Sequence, residues 1–276
     1  MDKLEILKIY NHNTIGTCID GQDVIAIGTG IAFQKHVGNK VNRSEVEKVY
    51  VFSDRRKLQF IDLMQNCPYL FFQISESIIK KAQISLNRLF RDWLVITLTD
   101  HIYYAVERKK QGIPLPNLML DEIRSLYPDE YKVGLWSIKL IYKYTDVKLG
   151  IGEAAYIAIH LINATEGKDI ESTKILVFSR YIIRIIEECL GADIPHDTPQ
   201  YSRLMIHLKF LGRKILGQVE TKEDTLIDYK TFTETSPVLK KCLNKIKEFI
   251  ENRYQYHLND DELLYLTIHL NRILKI

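Results

Sequence analysis

Four of the eight histidines in this 276-residue chain stand at repeating positions. Gly152-Glu153-Ala154-Ala155-Tyr156-Ile157-Ala158-Ile159-His160-Leu161 returns as Asp261-Glu262-Leu263-Leu264-Tyr265-Leu266-Thr267-Ile268-His269-Leu270, with Glu, Tyr, Ile, His and Leu at the same offsets. Upstream, Leu98-Thr99-Asp100-His101-Ile102 places His101 59 residues before His160, and Leu204-Met205-Ile206-His207-Leu208 places His207 62 residues before His269. His101 and His207 are 106 residues apart, His160 and His269 109. This is a tandem duplication with a period too long for a solenoid and suited to two copies of one small domain.

A neutral imidazole nitrogen is a good nucleophile near pH 7. It can accept a phosphoryl group as a phosphoramidate, adding about −1.5 to −2 charges if phosphoserine is the guide. Such a charge arriving in an apolar helical interface rearranges it, which makes a switch. A single histidine is more simply a core residue with satisfied hydrogen bonds, but two pairs at matching places weaken that reading. Four imidazoles could also bind zinc. Against this, the pairs sit in separate copies, and no carboxylate or cysteine stands at ligand spacing beside them. Asp100 precedes His101 and can orient it, whereas Ile206 takes that place in the second copy. The two sites are therefore electrostatically unequal, which fits different phosphodonors. Arg203, Lys209 and Arg213 flank His207 and could meet a phosphate; alternatively they form a solvated helix face.

The histidines need helices to hold them. Both ten-residue stretches are apolar almost all round and read as buried helices. Helices are expected over Ser75 to Phe90, Asp92 to Lys110 (ended by Gly112 and Pro114), and from Pro128 towards Val147. The helix bearing Tyr156 and His160 should close near Gly167, and the second copy start around Glu171. Thr198-Pro199 and Ser236-Pro237 read as a cap followed by proline at the first helical position. Asn259 to Glu262 reads as a capping box.

Residues 1–55 differ in character. Leu4 to Ile6, Lys8 to Tyr10, Thr14 to Ile19, Val24 to Ile27 and Val46 to Phe52 read as short strands, with a turn at Asn11-His12-Asn13 and a tight hairpin at Asp20-Gly21. About fifty residues bury too little to be comfortable alone, so a second copy of the sheet is the expected partner. The polar run Ser53 to Lys57 marks the end of this module.

Gly28-Thr29-Gly30 does not open a dinucleotide fingerprint, because Phe33 stands where the third glycine should. It is either a structural bulge or a loop that brings backbone and an aromatic ring up to a flat ligand. With Phe33 to stack, Gln34, Lys35 and His36 beside it, and Asn11 and Asn13 on a nearby turn, single-stranded or bulged RNA is the fitting ligand. Residues 1–55 carry seven Lys/Arg against seven Asp/Glu, so they have no broad basic footprint.

Composition adds bounds. Hydrophobic and charged contents of 46% and 26%, with a net charge of +3, are those of an ordinary soluble protein. Apolar runs are too short for a membrane span, and there is no signal-peptide layout. Cys18, Cys67, Cys189 and Cys242 are scattered and read as reduced thiols in a cytoplasmic protein. There is no P-loop, HExxH or GxSxG.

Together these residues resemble the BglG/SacY family of bacterial transcriptional antiterminators. Asn11-His12-Asn13, Gly28 to Phe33 and Val46-Glu47-Lys48 resemble its N-terminal co-antiterminator RNA-binding domain. Asp100-His101, Pro128 to Trp136, Ile159-His160, His207-Leu208 and Ile268-His269 resemble its two phosphotransferase-system (PTS) regulation domains. The resemblance implies a multidomain fold: a small antiparallel β-sheet module (1–57, a dimeric β-sandwich-like unit) and two homologous all-α helical-bundle domains (58–170 and 171–276). It implies a cytoplasmic homodimer, not an enzyme, with no cofactor or metal. Asn11, Asn13, Gly28, Thr29, Gly30 and Phe33 would contact a leader-mRNA antiterminator hairpin that excludes a terminator. His101 and His160 would take phosphate from a sugar-specific enzyme II, which inactivates. His207 and His269 would take it from the phosphocarrier HPr, which activates.

Two other classes compete. A PTS-regulated DNA-binding activator would need a helix-turn-helix or similar reader, and residues 1–55 read as strands. A helical metal-dependent phosphohydrolase would use His196-Asp197, but that dipeptide lies in a turn.

Overall fold

The computed structural model describes residues 3–51, 54–113, 115–165, 172–217 and 236–273. The described residues form six short β-strands followed by ten α-helices. The chain divides into two compact units: residues 1–115, 135–153 and 164–166 in the first, and 116–134, 154–163 and 167–276 in the second.

The first unit opens on two antiparallel sheets. Strands β1 (Lys3–Glu5) and β5 (Lys40–Asn42) form one. Strands β2 (Lys8–Asn11), β3 (Thr14–Ile19), β4 (Gln22–Ile27) and β6 (Lys48–Tyr50) form the other, in that order. The β3–β4 hairpin closes through Asp20 and Gly21, with φ of 51° and 79°. Glycine takes that left-handed position without cost, and aspartate is among the few side-chain residues that tolerate it. Ile6, Ile15, Ala26, Ile31, Ala32 and Val41 make the module's core. Strand β6 is shorter than the Val46 to Phe52 run expected from sequence. Val46 closes the 3-10 turn of Arg43–Glu45 instead, and Phe52 lies outside the described residues.

Helices α1 (Asp54–Asn66), α2 (Tyr69–Leu86) and α3 (Leu94–Lys110) follow. Helix α2 begins and ends earlier than the Ser75 to Phe90 pattern suggests: Pro68 precedes it, and Asn87 stops it in the left-handed region at φ 49°. Phe90 then pairs with Thr165 as an isolated bridge. The rings of Tyr50, Phe60 and Phe72 interlock, joining the end of the sheet to α1 and α2. The Glu76 carboxylate of α2 accepts from the Tyr50 hydroxyl and pairs with Lys48.

The second unit takes α4 (Leu120–Leu126), the first part of α5 (Pro128–Thr145), most of α6 (Ile151–Asn163), and α7 (Ser172–Leu190), α8 (Pro199–Gly217), α9 (Pro237–Tyr254) and α10 (Asp260–Ile273). The expected caps form: the Thr198 hydroxyl accepts from Tyr201 N, and that of Ser236 from Leu239 N. Asn259 and Glu262 exchange backbone-to-side-chain bonds of 2.9 Å, completing the capping box. A Cβ on Gly134 would lie 2.0 Å from the Ala154 carbonyl oxygen, so only glycine permits this approach of α5 to α6. Phe178, Ile182, Tyr201, Leu204, Leu208, Ile246 and Leu266 fill the core. Gly167 and Glu171, where the first copy was expected to end and the second to begin, lie outside the described residues.

Candidate nucleic-acid interface and histidine sites

The turn at 11–13 and the loop at 28–34 are knitted into one surface. The Asn11 side-chain oxygen accepts from Asn13 N at 2.8 Å, closing a local turn. Asn13 then holds the loop twice: its carbonyl accepts from Gly28 N at 3.0 Å and its side-chain oxygen from Gly30 N at 2.7 Å. His12 O accepts from Ala32 N. Thr29 N donates to Glu47 Oε1 at 2.8 Å, and this bond does most to hold the Glu47 carboxyl below its usual range. Tyr69 acts on the Glu47 carboxyl in the same direction. Gly28 has no room for a side chain, because a Cβ would sit 2.0 Å from the Glu45 carbonyl oxygen. Gly30 is in the left-handed region, at φ +67°.

The result is a rigid loop with a presented ring. Phe33 is 57% exposed, and its ring meets that of His12 edge-on at 5.7 Å. An exposed phenylalanine on a braced loop has its apolar face in water and gains by stacking on a base. Asn11 differs from expectation. Its amide nitrogen donates to the Met64 carbonyl of α1 at 2.6 Å, so both ends of its carboxamide are engaged within the chain.

The four histidines lie on α3, α6, α8 and α10. In the first unit, His101 Nε2 lies 3.0 Å from Glu153 Oε2, and Arg108 Nη2 lies 3.2 Å from Glu153 Oε1. Burial pushes the Glu153 carboxyl up, but His101 and Arg108 outweigh it and hold the carboxyl below its ordinary value. Asp100 beside it is raised, by burial and then by Asp62, against the pull of His101. His160 is half-buried on the part of α6 that belongs to the second unit.

His207 and His269 come together. Their rings stack at 5.2 Å with 28° between planes, and the Tyr265 ring covers the His207 ring at 5.6 Å. Burial first, then His269, pushes His207 down to about 4, against the pull of Glu262. His269 is lowered too, by burial and then by Arg272 and Arg203. Both imidazoles are therefore biased towards the neutral form, which keeps a ring-nitrogen lone pair free.

Of the cations flanking His207, Lys209 is engaged elsewhere. It donates to the Leu126 carbonyl and lies over the Tyr127 ring at 4.3 Å. Sequence reasoning set only Asp100 beside His101 and so missed Glu153. The signal was present: a Glu stands seven residues before the second histidine in both copies. His196 bonds Asp121 at 2.8 Å and lies 3.7 Å from Glu187. Among the described residues no group of three or more His, Cys, Asp and Glu could hold a metal ion, and no helix is long and apolar enough to cross a membrane.

Residues 4–59 match the CAT RNA binding domain, and residues 76–164 and 180–273 each match the PRD domain. The chain is 31% identical over 280 residues to "Transcription antiterminator LicT" of Bacillus subtilis (strain 168), covering 99% of both chains. It is 30% identical to "Beta-glucoside operon antiterminator" of Dickeya chrysanthemi, covering 98% of this chain and 96% of that one. A solved structure, "Crystal structure of GlcT CAT-PRDI", superposes with a TM-score of 0.53 at 27% identity, covering 60% of this chain and all of that one.

Proposed function

Because this chain belongs to the BglG/SacY family of transcriptional antiterminators, with a CAT RNA-binding domain and two PRD domains, we propose that residues 11–13 and 28–33 form its RNA contact and that the four repeated histidines are its phosphorylation sites. The protein is an RNA-binding regulator, not an enzyme. It binds an imperfect hairpin in a nascent leader transcript and keeps polymerase reading into sugar-utilisation genes.

The observation that carries this reading is the braced loop. Gly28, Thr29 and Gly30 are each tied down through the backbone, and the loop they form presents an exposed Phe33. Phe33 stacks on an unpaired base, Asn13 and Thr29 lie beside it for base edges and backbone, and the glycines allow close approach. The balanced charge of residues 1–55 sets the affinity in this local surface rather than in a broad electrostatic field. Asn11 reads a base only by giving up the Met64 carbonyl. In the first copy His101 and His160 take phosphate from a sugar-specific enzyme II. In the second, His207 and His269 take it from HPr. The active form is a cytoplasmic homodimer.

The test is selection of the full-length chain on a randomised pool of RNA hairpins. The selected hairpin is then placed ahead of a terminator in a purified transcription reaction. Enrichment of one bulged hairpin and increased read-through are expected. Recovery of no hairpin family from folded protein would overturn the RNA assignment.

A further inference from the structure

We infer that His269 is the preferred phosphoryl acceptor of the pair in the second copy, that Arg203 and Arg272 hold the transferred group, and that His207 is the enclosed ring against which His269 is set. This rests on the phosphorylation reading above and ranks the two acceptors of the pair.

The rings are stacked, but their surroundings differ. His207 packs against both Tyr265 and His269, and its Nε2 is enclosed with no hydrogen-bond partner among the described residues. His269 is the less buried of the two and lies one turn from the end of α10. A donor must reach the nucleophile, and that favours His269.

Charge points the same way. Arg203 stands four residues before His207 on α8, and Arg272 three residues after His269 on α10, so each shares a helix face with its histidine. Both arginines are exposed, and their charges act on His269. Neither makes an ion pair among the described residues. Nearby Lys214 is paired with Glu262 at 2.7 Å, and Lys209 is spent on Leu126 and Tyr127. Two uncommitted guanidinium groups beside a neutral imidazole disfavour a proton on the ring and favour a dianion on it. Guanidinium groups also match phosphate oxygens in a bidentate fork.

The first copy lacks this pair. Residues 97 and 163 hold the places of 203 and 272, by the offsets of 106 and 109 that relate the histidines, and they are Thr97 and Asn163. The Thr97 hydroxyl turns back to the Leu94 carbonyl, and the Asn163 carboxamide exchanges bonds with the Thr173 hydroxyl. The arginine pair therefore distinguishes the two copies as acceptors.

In the transfer, a lone pair of a His269 ring nitrogen attacks phosphorus. The new N–P bond forms as the donor's P–N bond breaks. The donor nitrogen leaves with that bond's electron pair, and the imidazole keeps its other N–H. With phosphoramidate as donor, the protonated nitrogen leaves as ammonia, so no further co-reactant is needed.

The experiment treats full-length protein with phosphoramidate and maps phosphohistidine by mass spectrometry. Label on His269 should exceed that on His207 by about tenfold or more, as expected for one or two charge-assisted contacts. R203Q/R272Q should slow labelling of His269 by about tenfold with an unchanged melting temperature, and R203K/R272K should recover most of it. Label falling chiefly on His207 would overturn the assignment, as would a wild-type rate in folded R203Q/R272Q. A second arm uses phosphorylated HPr as donor. No transfer from HPr, alongside intact phosphoramidate labelling of His269, would sink the regulatory reading and leave the acceptor assignment standing.

Discussion

Lys214 meets Glu262 at 2.7 Å across α8 and α10, and in doing so repeats the 3.2 Å pairing of Arg108 with Glu153 in the first copy. The cation stands seven residues after the first histidine and the carboxylate seven before the second, in both copies. Around this shared clasp the copies diverge. Glu153 spends its other oxygen on His101, whereas Glu262 is held by the Tyr256 hydroxyl and Asn259 N. The Lys214–Glu262 pair is also the more enclosed, with side chains 17% and 9% exposed against 27% and 12% for Arg108 and Glu153. Lys214→Met should therefore cost about 2–4 kcal/mol by stranding an enclosed carboxylate, and Arg108→Met less. Urea denaturation of both variants checks this; an equal or reversed order would show that burial does not set the strength of the clasp.

The stacked pair predicts a pH dependence. His207 is held near 4 in the fold, below about 6.5 in the unfolded chain. The unfolded state then binds the proton that the folded state refuses, so stability is full above about pH 6.5 and falls as pH drops towards about 4. The loss from His207 reaches about 3 kcal/mol at most, and His269, also lowered, adds in the same direction. His207→Gln should flatten the fall in urea midpoint between pH 7 and 4.5. An undiminished slope in that variant would assign the acid sensitivity to other groups.

Phe33→Ala removes a ring that is 57% exposed, so the fold should lose no more than about 0.5 kcal/mol. Hairpin affinity should fall by about tenfold to a hundredfold, the worth of one stacked base. Gel shift and thermal melting together test this, and unchanged affinity would remove the ring from the interface.

Gly28 and Gly30 should separate in the same assays. Gly28→Ala drives a methyl into the Glu45 carbonyl and should cost about 3 kcal/mol and the loop's RNA affinity with it. Gly30→Ala meets only Phe33 Cβ at 3.9 Å and carries the strain of φ +67°, about 1 kcal/mol. Equal losses would mean that dihedral freedom, not contact with the 43–46 turn, requires glycine at both.

Local chemistry was the legible part. The caps at Thr198, Ser236 and Asn259 follow from side-chain oxygens set before a helix, and the Asp20-Gly21 hairpin from glycine's freedom at positive φ. Strand β5 escaped notice because Lys40-Val41-Asn42 is only three residues long, too short for its alternation to register; its pairing with β1 makes it a strand. Helix α1 escaped because polar residues dominate its start, and its buried face is set by Phe60 and Met64 further on. In the site, the residue types were readable, but their partners were not. No spacing in the sequence could place the Asn11 carboxamide against the Met64 carbonyl 53 residues away.

That placement bears on how the module could be transplanted. Residues 1–57 end where sequence periodicity changes, yet their packing continues. Tyr50 leans on Phe60 and Phe72, Lys48 and Tyr50 share Glu76, and Asn11 rests on Met64. A graft cut at 57 would leave an aromatic face wet and several polar partners missing. One carried through Glu76 would take its own foundation with it, so the transferable unit is longer than the strand-rich segment.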